Sequence, residues 1–81
     1  MTDFHIQLET HERPEIGPAA SLNDLALPLA HVLQIADRQG ARRPAYTIHA
    51  SEDGQRREVT EVERTEFVAA LERTLDQLGA S

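Results

Sequence analysis

Phe4, Ile6 and Leu8 alternate with His5, Gln7 and Glu9, and that period of two predicts a half-buried strand over residues 3–9. The alternation stops at Thr10. Residues 10–20 carry Pro14, Gly17 and Pro18 with Glu12, Arg13 and Glu15 around them, which predicts a loop. Ile16 is its one large apolar residue and is a candidate anchor, either for the loop itself or for a partner. The next pattern has a helical period. Leu22, Leu25, Leu29, Val32, Leu33, Ile35 and Ala36 fall in one stripe at 100° per residue. Asn23, Asp24, Ala30, His31, Gln34, Asp37 and Arg38 fall opposite. A helix is expected over residues 22–39, opened by Ser21 with Asp24 as a capping box and closed by Gly40. Pro28 interrupts it, because proline lacks the N–H and clashes one turn back, so the helix starts late or kinks there. Leu27 points away from the stripe.

After the connector Arg42-Arg43-Pro44, Tyr46, Ile48 and Ala50 alternate with Thr47, His49 and Ser51, a second strand over residues 45–51. Asp53-Gly54 is a favoured two-residue hairpin turn. Folding about it sets His49 opposite Glu58 and Ile48 opposite Val59, giving a third, edge strand over residues 56–62. Phe67, Val68, Leu71, Leu75 and Leu78 then mark a helix over residues 63–78, ended by Gly79. Two start signals compete there. Thr60 with Glu63 has the form of a capping box, and Val62 with Phe67 has the spacing of a hydrophobic staple around Glu63. A helical Val62 would lie opposite the stripe, which favours the later start. The expected fold is α+β in the order β-α-β-β-α: a single domain over residues 1–81, with a three-stranded sheet and two helices on one face.

Composition limits what such a domain does. With 81 residues the core is thin. Without cysteine there is no disulfide, thiol nucleophile or thiolate metal site. No apolar run approaches the ~20 residues of a membrane span. The amino-terminal Met1-Thr2-Asp3 has no signal-peptide character, so a cytoplasmic protein is the expectation. Fourteen acids against eight basic residues, a net charge of −6, disfavour direct binding to nucleic acid or to a membrane surface. All eight basic residues are arginine, which removes Schiff-base and P-loop lysine chemistry.

The candidate chemistry is sparse. His5 and His49 share the sheet face away from Ile6 and Ile48. With Glu58 they would make a two-histidine, one-carboxylate zinc set if the strands were neighbours. No HxH or HxxxH spacing supports that, and a simple His49–Glu58 cross-strand pair, raising the histidine pKa, is the preferred reading. No glycine-rich loop, spaced Ser-His-Asp set or carboxylate pair is present, so no catalytic or cofactor-binding residues are assigned and an enzyme is not expected.

The charges are uneven. Residues 52–76 hold eight of the fourteen acids, and Arg38, Arg42 and Arg43 cluster at the end of the first helix. Glu63, Glu66, Glu72 and Asp76 share the polar face of the last helix.

Gln39-Gly40 and Arg43-Pro44-Ala45-Tyr46 resemble the first helix–strand junction of double-stranded-RNA-binding domains over a dozen residues. The chain lacks that family's third strand before its final helix, and Glu61, Glu63 and Glu66 replace the basic start expected of that helix, so it is not assigned to that family. The β-α-β-β-α order and the acidic last helix resemble the DNA-damage-inducible protein I family, small regulators that bind a recombinase filament. That resemblance lies in topology and charge, and it implies a protein partner for the acidic helix.

The expected function is therefore a non-catalytic protein–protein interaction module, a bacterial or phage regulator, inhibitor or accessory subunit. It would dock a basic protein surface through Glu63, Glu66, Glu72 and Asp76, with Leu27 or Ile16 as apolar anchor and Arg42 and Arg43 as a second charged site. The alternative is a homodimer that completes its sheet or core across the interface.

Overall fold

The computed structural model describes residues 1–9 and 15–80. Within them the order is β1 (Thr2–Leu8), β2 (Glu15–Ala19), a 3-10 turn (Leu22–Leu25), α1 (Ala26–Arg38), β3 (Tyr46–Glu52), β4 (Gln55–Glu58) and α2 (Glu61–Ala80). The fold is α+β, with a four-stranded antiparallel sheet in the order β2-β1-β3-β4. The expected three strands are thus one short, and the order β-α-β-β-α becomes β-β-α-β-β-α. With it goes the topological half of the resemblance to the DNA-damage-inducible protein I family.

The added strand is β2, which lies inside the expected loop. Its one large apolar residue, Ile16, pairs with Ile6 and is buried at 7% exposure. Burying that side chain is worth roughly 1.5–3 kcal/mol, enough to hold a strand that proline and glycine disfavour. The register slips between Phe4 and Ile6, so that Gly17 and Pro18 together face His5. Gly17 has φ +106°, and a Cβ there would lie 2.9 Å from the Phe4 carbonyl oxygen. Only glycine suits this position. Residues 10–14 of the expected loop, His11 among them, lie outside the described residues.

β1 and β3 pair directly from Thr2–Glu52 to Leu8–Tyr46. Phe4, Ile6, Leu8, Ile48 and Ala50 therefore share one face and are buried, while His5, Gln7, Thr47 and His49 share the other. Asp53 and Gly54 both have positive φ, 52° and 82°, as the expected two-residue turn requires. β4 follows in the expected register, His49 opposite Glu58, and forms one edge of the sheet. It ends at Glu58, short of the expected residue 62.

The first helical segment resolves the Pro28 conflict. A 3-10 turn takes Leu22–Leu25, and α1 begins at Ala26, so Pro28 falls in the first turn where its missing N–H has no intrahelical acceptor. Ser21 precedes the 3-10 turn but makes no side-chain cap, contrary to the expected capping box; its carbonyl accepts from the Asp24 N–H at 3.1 Å. At the other end Gly40 N–H donates to Asp37 and Ala41 N–H to Ala36, with Gly40 at φ +69°: the helix stops in a Schellman motif.

The buried line of α1 is Ala26, Leu29, Ala30 and Leu33. This corrects the expected stripe, which placed Ala30 outside and Ile35 inside; Ala30 is 0% and Ile35 55% exposed. That stripe takes its phase partly from Leu22 and Leu25. Those residues belong to a 3-10 turn of 120° per residue, which cannot set the phase of the helix that follows. On α2, Phe67 and Leu71 are buried, with Ala70, Leu75 and Leu78 packed partly against the same core. Val68, expected in that stripe, is exposed. No helix among the described residues is long and apolar enough to cross a membrane.

Candidate functional site

The sequence-predicted site residues separate into three groups, and the start of α2 decides the first. Thr60 N–H donates to Glu63 Oε1 at 2.9 Å, and Glu63 N–H donates to Thr60 Oγ1 at 3.1 Å. This reciprocal capping box starts the helix at Glu61, not at the expected residue 63. It prevails over the staple because Arg57 joins it. Arg57 pairs opposite Ala50, on the helix-covered side of the sheet, and donates from Nη1 and Nη2 to Glu63 at 3.0 and 3.3 Å. Its Nε lies 3.3 Å from Glu52, and its guanidinium sits 5.9 Å from the centre of the Phe4 ring. Glu63 is pulled down to about 2 by the Arg57 bonds first and the Thr60 N–H second. Glu63 is thus engaged within the chain by Arg57 and Thr60. Val62 pays for this start with 67% exposure.

The remaining acids of α2 stand differently. Glu61, Glu66, Glu72 and Asp76 are exposed, and no ion pair joins any of them to another described residue. Glu61, Val62, Thr65 and Glu66 line a shallow depression on the helix surface. Asp76 lies apart, in a recess of about 360 Å3 lined also by Gln34, Asp37, Arg38, Arg43 and Leu75. The C-terminal ends of both helices thus meet the arginine corner. There Arg43 grips Asp37 with Nε at 2.9 Å and Nη2 at 2.6 Å. This bond holds the Asp37 carboxyl below its ordinary range and raises Arg43. Arg43 is engaged within the chain, while Arg42 is exposed without an ion pair to any described residue. Of the two expected apolar anchors, Leu27 is 51% exposed, and Ile16 is in the core, which removes it from the surface.

On the open face of the sheet His5 and His49 are direct cross-strand neighbours, their rings stacked at 5.1 Å between centres and 28° apart. Glu15 lies 3.9 Å from His5 Nε2. The expected rise in the His49 pKa is reversed. Burial lowers it, and Arg56 and His5 lower it further against a smaller upward pull from Glu15. Among the described residues no three His, Asp or Glu side chains are grouped to hold a metal ion. Beside this pair, Thr47, His49, Arg56, Glu58 and Arg64 line an open recess of about 420 Å3 along β4. Sequence reasoning missed Arg56 and Arg64 here, although the hairpin register was enough to place Arg56 on the same face as His49 and Glu58. Compared with known proteins, the chain matches no family model, no curated protein and no solved structure.

Proposed function

We propose that the chain is a non-catalytic protein–protein interaction module that docks a basic protein surface on the exposed side of α2. One contrast supports this reading. Glu63, Glu52 and Asp37 are each taken up by an arginine of the same chain, whereas Glu61, Glu66, Glu72 and Asp76 have no ion-pair partner among the described residues. Unpaired acids along one helix attract and orient a basic partner while adding little to the fold. Val62, exposed between Glu61 and Glu66, and Leu27 on α1 supply apolar contact of the kind that anchors such an interface. In a cytoplasmic bacterial or phage setting this is the behaviour of a small regulator, inhibitor or accessory subunit.

The test compares the wild-type chain with the variant Glu61→Gln, Glu66→Gln, Glu72→Gln, Asp76→Gln. Both are used to capture proteins from host lysate at ~50 and ~300 mM salt. A basic protein retained by the wild type at low salt, and released both by salt and by the four substitutions, is the expected result. Capture that is indifferent to the substitutions refutes docking through α2.

A further inference from the structure

The order β2-β1-β3-β4 leaves two edges, and they are not alike. The β2 edge carries Pro18, which has no N–H to donate, and a register slip beside Gly17. Both features block the addition of another strand. The β4 edge, Gln55–Glu58, has neither proline nor bulge.

Which backbone groups of β4 face away from β3 follows from its hairpin. The two-residue turn closes on the pair Glu52–Gln55, and hydrogen-bonded and non-bonded pairs then alternate along an antiparallel ladder. Gln55 and Arg57 therefore turn their N–H and C=O groups toward β3. Arg56 and Glu58 turn theirs outward; the Glu58 C=O already accepts from Arg57 Nη1 at 3.1 Å, which leaves its second lone pair for a further donor. Their side chains share the open face of the sheet with His49 and Ser51, are exposed, and form no ion pair with another described residue.

We propose that β4 is a homodimerisation edge, joining two copies by antiparallel β4–β4 pairing centred on Arg57, with Arg56 of each copy opposite Glu58 of the other. In this register the outward groups of Arg56 and Glu58 exchange four backbone hydrogen bonds, and two opposite-charge pairs form directly across the junction. Shifting the centre to Arg56 sets two arginines face to face, and shifting it to Glu58 sets two glutamates. Each of those is unfavourable, so charge selects the Arg57 centre. Arg57 meets its own copy across the axis on the helix side, where Glu63 and Glu52 already neutralise it. Charged edge residues ordinarily keep strands apart. Here their alternation is self-complementary. The result is one continuous eight-stranded sheet with the helices of both copies on the same side. This reading is independent of docking through α2.

Four residues make a short junction, so the dimer is weak, with Kd on the order of 10⁻⁴ M. Sedimentation equilibrium on the full chain at ~20 and ~1,000 μM is expected to show monomer becoming dimer. Arg56→Glu sets acid against acid and weakens association at least ~10-fold. Adding Glu58→Arg to the same chain restores the pairing and returns Kd to within ~3-fold of wild type. Arg56→Pro removes an outward N–H without touching the β3 ladder, and leaves a folded monomer. A wild type that stays monomeric at ~1,000 μM overturns the proposal. So does a dimer indifferent to Arg56→Glu, or a double reversal that fails to restore association.

Discussion

Glu63 shows how much one side chain settles. Its two oxygens accept from Arg57 and from the Thr60 N–H, and the group thereby fixes the start of α2, the end of β4 and the seat of Arg57 over Phe4. A carboxylate whose folded pKa is depressed contributes stability above its unfolded value and loses it as pH falls toward the folded one. For Glu63 that window runs from about 4.5 down to about 2. The full shift would correspond to ~3 kcal/mol, but the side chain keeps 28% of its exposure and solvent screens the pair, so ~1–2 kcal/mol is expected. Glu63→Gln should lower stability by that amount at pH 7 in urea titrations, and should flatten the loss between pH 4.5 and 2.5. A glutamine variant as stable as wild type at pH 7 would show that the capping box alone starts the helix. Histidine works with the opposite charge and the same sign of slope. The lowered His49 pKa means that the folded chain resists protonation there, so stability also falls as pH drops below ~6.5.

At the scale of elements, local signals were legible and tertiary ones were not. The Asp53-Gly54 turn, the His49–Glu58 register and the Gly40 stop each depend on a few adjacent residues, and each is found where the sequence places it. β2 was illegible because its sequence, EIGPA, has the composition of a loop; only pairing with β1 makes it a strand. The residues proposed for docking were half legible for the same reason. Side-chain spacing placed Glu66, Glu72 and Asp76 on the surface of α2, but it could not show that Arg57 reaches Glu63 or that Ile6 covers Ile16. The phase of α1 separates the two kinds of information most sharply. With Ala30 buried at 0% exposure, Ala30→Leu overpacks the core and should cost about 1–3 kcal/mol. Ile35→Ala, on the exposed side, should change stability by less than ~0.5 kcal/mol beyond helix propensity. The phase expected from the apolar stripe alone reverses that ranking, so thermal or denaturant unfolding of the two variants decides between them.

At the scale of the whole molecule, a net charge of −6 sits on a chain whose engaged ion pairs are few and placed at element junctions. The free acids of α2 contribute repulsion to the folded state, which salt screens. The Arg57–Glu63 pair is partly buried, and salt screens it less. Raising NaCl from ~20 to ~500 mM should therefore raise the melting temperature, not lower it. Replacing Glu61, Glu66, Glu72 and Asp76 by glutamine takes the net charge from −6 to −2, and should remove most of that salt response. The same variant should unfold no earlier than wild type at low salt, because none of the four acids has an ion-pair partner to lose among the described residues and the relief of repulsion offsets the helix-dipole interaction lost with Glu61 in the first turn of α2. Differential scanning calorimetry across the salt series reads both effects. A melting temperature that falls with salt would mean that attractive pairs dominate, and that the acids of α2 serve the fold before they serve a partner.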